Sequence, residues 1–275
     1  KNGISPIIID TREDSDSSVI REAKNQNIEI NFSYGIVNTK GYRRITSAIV
    51  GKLNKDKSGY ETLKKIPCDC ICVSGNWTPT VHLSSQSGNI LRFDSNIDAF
   101  IPNRSRQEEI TTGSANGSTT LKKSLEEGFS KGFELSNKIT NKNIKSTTPT
   151  SNERNYESHD KIWCMPLPKN KRYKRFVDFQ NDVAVSDIEL AVREGFRSIE
   201  HVKRYTTLGM ATDQGKTSNL NGLQLVSNIE SKIIPAVGHT TFRPPYTPVT
   251  IGTIVGREVG KHYRPTRKSP IHEWH

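Results

Sequence analysis

The first thirty residues alternate short apolar runs with polar segments. Residues 5–10 contain an isoleucine run that ends in Asp10, which is typical of a buried parallel strand. A helical pattern follows at residues 17–26, and a second short apolar run lies at 28–30. The order strand, helix, strand predicts a β-α-β unit with a parallel sheet.

Antiparallel strands are predicted next. Apolar and polar residues alternate at 43–50, after a turn at Lys40 and Gly41, and this predicts a half-exposed strand. The apolar run at 68–73 predicts a buried strand. With the β-α-β unit, this is the layout of the later part of a two-part dinucleotide-binding domain of the FAD/NAD (Rossmann) type, so the predicted fold class is α/β.

Helical patterns dominate the rest of the chain. A helix is predicted from near Thr119, because apolar residues recur at near-helical spacing after it. Three short helices are predicted at 186–195, 198–205 and 220–229. The predicted division is a partial dinucleotide-binding domain at 1–136, a flexible linker at 137–160, a helical module at 161–238 and an extended connection at 239–275.

The cysteines follow the strand pattern. Cys68, Cys70 and Cys72 alternate along the predicted buried strand, and Cys164 stands apart. Neighbours at i and i+2 do not readily form a disulfide, and C-x-C-x-C is not a zinc spacing. We interpret the three as small buried residues of a protein in a reducing compartment, and expect a cytoplasmic location.

The net charge of the chain indicates which classes of partner it binds. The 275 residues carry a formal net charge of +11, and their hydrophobic content is 32%. Such a charge favours an anionic partner: a nucleic acid, a phosphate-bearing cofactor or an acidic subunit. The basic residues recur in short groups without a nucleic-acid motif, so nucleic-acid binding is not expected. No apolar stretch approaches the roughly 18 residues of a membrane span, so no membrane association is expected.

Four positions in the first half are candidate nucleotide contacts. Asp10 closes the first strand, where an acid commonly meets a ribose hydroxyl; Arg12 facing a 2′-phosphate and Asp10 capping the next turn are the alternatives. Gly75 follows the predicted buried strand and permits close approach of a ligand or of another backbone segment. Asn116 lies in a Gly-Ser run before a helix, and the free N–H groups at the start of a helix bind anions. The chain contains no G-x-G-x-x-G motif.

The loop at 203–218 has the most concentrated pattern for phosphate binding. Glycines let the backbone come close, hydroxyls and amides donate hydrogen bonds, and cations neutralise charge. The alternative is a polar surface loop without a ligand. The candidate contacts are Lys203, Arg204, Thr206, Thr207, Gln214, Lys216, Thr217 and Ser218.

Six runs along nearly the whole chain resemble the α subunits of heterotetrameric sarcosine oxidases, and they occur in the family's order. They read VSGNWTPTVHLSSQSG, TTGSANGSTTL, FVDFQNDV, REGFRSIEHVKRYTTLGMATDQGKTSN, TTFRPPYTPVTIG and RPTRKSPIHEWH. Enzymes of this family oxidise sarcosine to glycine, reduce O2 to H2O2 and pass the one-carbon unit to tetrahydrofolate, which gives 5,10-methylenetetrahydrofolate.

The resemblance implies the cofactors and the partners. It implies FAD in a β subunit, FMN at the α–β contact, NAD in the dinucleotide domain of the α subunit, and tetrahydrofolate in a C-terminal domain that this chain lacks. The implied partners are the β, γ and δ subunits. Carried over by motif, the loop at 203–218 faces the FMN phosphate, with Arg204, Gln214 and Ser218 as the foremost contacts. No bond-making residue is expected here, and the isolated chain is expected to be inactive.

The helical module also resembles the small [2Fe-2S] domain of the bacterioferritin-associated ferredoxin type. The four cysteine positions of that domain read Asp178, Gln180, Asp213 and Ser218 in this chain, so the resemblance implies no iron–sulfur cluster. Two other functions remain open. The chain is alternatively part of a related amine, opine or proline dehydrogenase α subunit, or a cofactor-free fragment that contacts other subunits.

Overall fold

The predicted β-α-β unit is present at the N-terminus. The structure is a computed structural model, and it describes residues 3–75, 77–141, 147–151, 162–169 and 171–263. β1 (Ile7–Asp10) and β2 (Glu29–Phe32) pair in parallel, with α1 (Ser18–Asn25) as the crossover. The sequence therefore predicted this unit to within two residues at each boundary.

An antiparallel sheet of three strands follows, in the order β3 (Tyr34–Gly41), β4 (Ile45–Leu53) and β5 (Tyr60–Pro67). β4 is the central strand and contributes the buried Val50 to the core. An antiparallel strand is therefore present where the alternation at 43–50 predicts one, but Ser47, Ala48, Val50 and Gly51 are all buried, so the strand is less exposed than predicted.

The buried strand predicted at 68–73 is wrong. The third strand of the sheet is β5, and residues 68–73 lie beyond its end without regular structure. Cys70 and Cys72 are exposed and Cys68 is half-buried, so the three thiols are not core residues. The physical reason is pairing: within the described residues no strand lies beside this apolar run, and a strand needs a partner for its backbone groups.

A hairpin and a long helix complete the first half. The short helix α2 (His82–Gln86) precedes β6 (Ile90–Asp94) and β7 (Ala99–Arg104), which pair antiparallel. The predicted long helix is α3 (Leu121–Thr140), and the hydroxyl of Thr120 caps it by accepting a 3.2 Å hydrogen bond from the Lys123 N–H. Most of the predicted linker, at 142–146 and 152–161, lies outside the described residues.

The helical module is built from three main helices, as predicted. Its elements are β8 (Phe176–Asp178), β9 (Val183–Ala184), α4 (Val185–Arg193), α5 (Ile199–Thr206), α6 (Asn219–Ile229) and α7 (Ile234–Val237). The stretch predicted as an extended connection is not extended throughout, because it contains α8 (Ile251–Val255) and a 3-10 segment at Arg257–Tyr263. The core contains Ile188, Ile199, Val202, Leu208 and Val226, all fully buried. At the start of α4, the Asp187 carboxylate caps the helix by accepting a 2.8 Å hydrogen bond from the Ala184 N–H.

Several contacts join the first half of the chain to the helical module. Phe100 of β7 packs against the core of the module. The segment at 162–169 also bridges the two, because the Tyr60 hydroxyl donates a 2.9 Å hydrogen bond to the carbonyl of Pro166. Met165 packs directly on Gly35 of β3, where a Cβ atom would collide with its side chain.

Among the helices in the described part of the chain, none is long and apolar enough to cross a bilayer.

Candidate functional site

A cleft in the helical module brings together the end of α5, the loop after it and the segment at 240–246. Its volume is about 190 Å³. It is lined by Glu200, Lys203, Arg204, Gly209, Met210, Gln214 and Arg243. Three of the residues predicted to contact a phosphate, Lys203, Arg204 and Gln214, therefore share one cavity.

The cleft is strongly cationic. Lys203, Arg204 and Arg243 face it against one carboxylate, that of Glu200. The guanidinium of Arg204 lies 3.3 Å from Glu200 Oε2 and donates to the Glu200 carbonyl at 3.1 Å. Burial, followed by the charges of Arg243 and Arg204, lowers the pKa of Lys203 from its ordinary value, although Glu200 acts in the opposite direction. Mutual repulsion of this kind indicates a site shaped for an anion.

The threonines at the end of α5 serve the loop instead of the cleft. Thr206 Oγ1 donates to the Val202 carbonyl at 2.7 Å and accepts from the Leu208 N–H at 3.2 Å. Thr207 ends the helix in the left-handed region with φ +65°, and its hydroxyl donates to the Thr206 carbonyl. Both side chains thus fix the turn that carries Gly209 into the cleft.

Three more of the predicted contacts lie outside the lining of the cleft. Lys216 Nζ donates to the Tyr246 carbonyl at 2.8 Å and lies 4.2 Å from the centroid of the Tyr246 ring. The Thr217 hydroxyl donates to Asp213 Oδ2 at 2.9 Å. Ser218 is fully buried, and its Oγ has no hydrogen-bond partner among the described residues. The neighbours of these three side chains are thus groups of the protein outside the cleft, or, for Ser218, the buried interior.

Packing within the loop itself explains why its two positions are glycines, and the sequence did not reveal this packing. Gly209 and Gly215 adopt φ values of +66° and +75°, and the side chain of Asn219 lies against both. A Cβ atom at either position would collide with the Asn219 amide group. Close approach does occur here, but the group that approaches is the protein's own asparagine.

Three of the four positions that the resemblance assigns to cluster cysteines, Asp178, Gln180 and Asp213, take part in hydrogen bonds between loops. The buried Asp178 carboxylate accepts from the N–H groups of Gln180 and Asn181 at one oxygen and from Gly209, at 2.8 Å, at the other. The side-chain Oε1 of Gln180 accepts from the Asp213 N–H at 3.4 Å. These bonds connect the β8–β9 turn to the loop after α5, so they hold Gly209 in the cleft.

Asp10 and Arg12 form an ion pair at the carboxyl end of β1. The Arg12 guanidinium contacts both carboxylate oxygens, with the shortest distance 2.7 Å from Nη2 to Oδ2, and the Arg12 N–H donates to Oδ1 at 2.9 Å. The last of these bonds is the turn cap that was one of the sequence interpretations. A ribose contact by Asp10 would therefore compete with Arg12.

Gly75 and Asn116 have different surroundings. Gly75 is exposed and has no atom near its missing Cβ, and its neighbour Asn76 lies outside the described residues. Asn116 ends the 3-10 turn at Gly113–Asn116, where the Glu127 carboxylate accepts from the Gly113 N–H at 2.9 Å and from the Asn116 amide at 3.5 Å. The anion at this turn is thus a side chain of the protein itself.

A second cavity, of about 150 Å³, lies at the junction between the first half and the helical module. It is mostly apolar, with Phe100, Leu223 and Phe242 among its walls. At its edge the His82 ring stacks on Tyr246 with centroids 4.5 Å apart. Burial, and then the charge of Lys216, lowers the pKa of His82 below its ordinary value.

Sequence reasoning missed Arg243, which the structure places in the cationic cleft. The run at 240–250 was interpreted only as extended and stiffened by proline. An arginine directly before two prolines was the available signal, because proline restricts the backbone on which the guanidinium is presented. The α5 residues that share the cleft with Arg243 lie some 40 positions earlier in the chain, so no local sequence pattern links them to it.

In the part of the chain that the structure describes, no group of three or more His, Cys, Asp or Glu side chains is arranged to hold a metal ion.

Comparisons with known proteins agree on one family. Residues 172–257, which contain the cleft, match the family model described as the sarcosine oxidase A3 domain. The chain is 38% identical over 210 residues to the sarcosine oxidase subunit alpha of Rhizobium meliloti (strain 1021), covering 76% of this chain and 21% of that protein. It is 31% identical over 236 residues to the same subunit of Corynebacterium sp. (strain P-1), covering 84% of this chain and 24% of that protein. The chain therefore spans about a quarter or less of these relatives' length.

A solved structure of a dehydrogenase resembles most of this chain in its fold. The L-proline dehydrogenase from P. horikoshii superposes with a TM-score of 0.61 at 18% identity, covering 91% of this chain and 50% of that one. At this identity the likeness concerns the fold, and it is consistent with the predicted α/β class. The two-part domain and the ferredoxin-like character of the helical module stay predictions.

Proposed function

Because this chain belongs to the sarcosine oxidase alpha-subunit family over the residues that it covers, we propose that it binds the phosphate of FMN where the α subunit meets a β subunit. The cationic cleft is the observation that carries this proposal. It lies inside the segment that matches the A3 domain, and it presents Lys203, Arg204 and Gln214 to one space. Cations with an amide are suited to the oxygens of a phosphate.

The size of the cleft supports a site for one end of a ligand. Sites that enclose a whole drug-sized molecule measure roughly 300–1,000 Å³. The cleft, at about 190 Å³, is smaller. A phosphate with part of its attached chain fits this volume, and a flavin ring then lies outside it. The remaining surface of the cofactor is available to a second subunit, as the family resemblance implies.

The role of this chain in the reaction is binding and orientation. The proposed enzyme oxidises sarcosine to glycine with O2 and tetrahydrofolate, and it releases H2O2 and 5,10-methylenetetrahydrofolate. FMN supplies electron transfer between the FAD of the β subunit and O2 when it is bound. Arg204 holds the phosphate by charge, while Gln214 offers its amide and Lys203 adds a second cation.

NAD and folate have different places in the proposal. We assign NAD to the domain that begins with the β1–α1–β2 unit, with Asp10 and Arg12 at the carboxyl end of β1 as its candidate contacts. Tetrahydrofolate belongs to a domain outside these residues, and the proposed partners are β, γ and δ subunits. The chain itself is expected to be inactive without them.

A related amine, opine or proline dehydrogenase α subunit is the second candidate, favoured by the likeness to the L-proline dehydrogenase fold. The two functions differ in the electron acceptor. A sarcosine oxidase produces H2O2 with O2 alone, whereas a dehydrogenase of this type requires an added acceptor dye.

The test is co-expression of this chain with a β-type partner. We expect the purified complex to contain FMN and FAD and to produce H2O2 from sarcosine. Arg204→Ala is expected to reduce FMN occupancy at limiting FMN about tenfold or more, since a charge-assisted hydrogen bond contributes roughly 1.5–3 kcal/mol.

Arg197→Ala is the matched control. Arg197 belongs to the same module, its side chain is 72% exposed, and it pairs with Glu230 outside the cleft. Its FMN content should equal that of the wild type. If Arg204→Ala has the FMN content of the wild type, the cleft does not bind the FMN phosphate. If the wild-type complex contains no flavin, the cofactor-free alternative is favoured.

A further inference from the structure

We propose that Arg243 makes the cationic cleft select a doubly charged phosphomonoester over a singly charged phosphodiester. The inference rests on the proposed function of the cleft and names the residue that sets its charge preference. Arg243 is the cation of the cleft that comes from a distant segment, while Lys203 and Arg204 both lie on α5.

The charge balance of the cleft depends on this residue. Three cationic side chains face one carboxylate, that of Glu200, which leaves a formal charge of +2. Without Arg243 the balance is +1. A phosphomonoester above pH 7 carries a charge near −2, and a phosphodiester carries −1. The cleft with Arg243 therefore matches the monoester, and the cleft without it matches the diester.

Glu200 contributes less repulsion towards an anion than its charge suggests. Its Oε2 lies 3.3 Å from the Arg204 guanidinium, and its Oε1 accepts a 2.6 Å hydrogen bond from the Thr241 N–H. Both carboxylate oxygens are thus turned to partners within the protein. No carboxylate in the described residues pairs with Arg243, so its charge is available to a ligand.

Arg243 is held over the cleft by anchors on both sides. The Thr241 N–H binds Glu200, two residues before it. Three residues after it, Tyr246 stacks on His82 and lies under Lys216 Nζ, and its carbonyl accepts from the same ammonium group. Pro244 and Pro245 stiffen the backbone between these anchors. A guanidinium presented in this way loses little conformational entropy on binding an anion.

The state of Lys203 is consistent with this role. Its pKa is lowered by burial and then by Arg243 and Arg204, against the opposing effect of Glu200. The three cations of the cleft therefore repel one another. An anion with two charges relieves this repulsion more fully than an anion with one.

The experiment uses the full chain with phenyl phosphate and methyl phenyl phosphate as probes. The two molecules share the aromatic group and differ mainly in one negative charge at pH 8. We expect wild-type protein to bind phenyl phosphate at least tenfold more tightly in a calorimetric or NMR titration. Arg243→Gln is expected to bring this ratio to within about threefold of one, chiefly by weakening the dianion.

Two further variants keep the result interpretable. Arg243→Lys retains the charge without the planar fork, so it should keep the preference for the dianion at lower affinity. Arg197→Gln should leave both affinities and their ratio unchanged. A wild-type ratio near one, or a ratio that Arg243→Gln leaves unchanged, would overturn this inference.

The proposed function fails in a different way. If the complex with a β-type partner carries FMN that Arg204→Ala loses, the phosphate site stands whatever the probe ratio is. If neither probe binds wild-type protein and Arg204→Ala retains FMN, both the charge selection and the phosphate site are refuted.

Discussion

At the scale of single residues, buried polar groups decide how the loops of the helical module are arranged. Asp178 is 2% exposed, and its carboxylate accepts hydrogen bonds from the N–H groups of Gln180, Asn181 and Gly209. Such a carboxylate is stable in a core because its oxygens are satisfied by donors. It joins two loops that are 31 residues apart, as a cross-link would.

Asp178→Asn tests this account. The amide replaces one acceptor oxygen by a donor that faces backbone N–H groups, so we expect a loss of roughly 2–3 kcal/mol in the free energy of unfolding. Urea unfolding measures the effect, and Asp182→Asn, at an exposed position in the same turn, is the control. Equal stability of the two variants would show that the carboxylate does not hold the loops together.

At the scale of elements, glycines distinguish a helix that packs tightly from one that does not. Gly222 lies inside α6, and a Cβ atom there would collide with the Leu208 side chain. Gly132 lies inside α3, where no atom lies within 4 Å of a Cβ position. The sequence shows both as glycines within helices, and only packing separates their roles.

Alanine substitutions should therefore have opposite signs. Gly132→Ala is expected to stabilise the protein by about 0.5–1 kcal/mol, because alanine has the higher helix propensity. Gly222→Ala is expected to destabilise it by roughly 1–3 kcal/mol, because overpacking against Leu208 exceeds the gain in propensity. Thermal unfolding of the pair gives the comparison. Stabilisation by Gly222→Ala would contradict the close packing of α6 on Leu208.

At the scale of the whole molecule, aromatic contacts connect the first half of the chain to the segment that carries Arg243. His82 stacks on Tyr246 at 4.5 Å, and Phe100 meets His239 at 5.3 Å. Tyr246 also contacts Lys216 of the loop before α6. The cleft in the module and the junction between the halves therefore share one structural segment.

The junction should respond to pH through His82. Burial and Lys216 lower its pKa in the folded state below the value of 6.5 for the free side chain. Folding favours the neutral form of His82. Its contribution to the free energy of unfolding is therefore fully present above pH 6.5 and is lost as the pH falls towards the folded-state pKa. His82→Phe keeps an aromatic ring and should reduce the loss of stability between pH 7.5 and 5.5.

Urea midpoints at the two pH values measure this difference. His201→Phe changes an exposed histidine of α5 and serves as the control, with the pH dependence of the wild type. If His82→Phe retains the full pH dependence, protonation of other groups accounts for it, and the junction is not a site of pH sensitivity.

The sequence by itself determined the local elements. Apolar periodicity and a capping pattern located the β1–α1–β2 unit and helices α4, α5 and α6 to within a few residues. It also picked out the loop at 203–218, because cations, hydroxyls and glycines that lie close together along the chain form a local pattern. These features depend on neighbours within a few positions, which a sequence displays directly.

The tertiary structure alone decided which of those residues share a space. It placed Lys203, Arg204 and Gln214 in one cleft, added Arg243 from a distant segment, and buried Ser218. It also left residues 68–73 outside the sheet, although their apolar pattern predicts a strand. The reason is the same in both cases: hydrogen-bond and charge partners are chosen between segments far apart in sequence, and a local pattern does not record which partner is near.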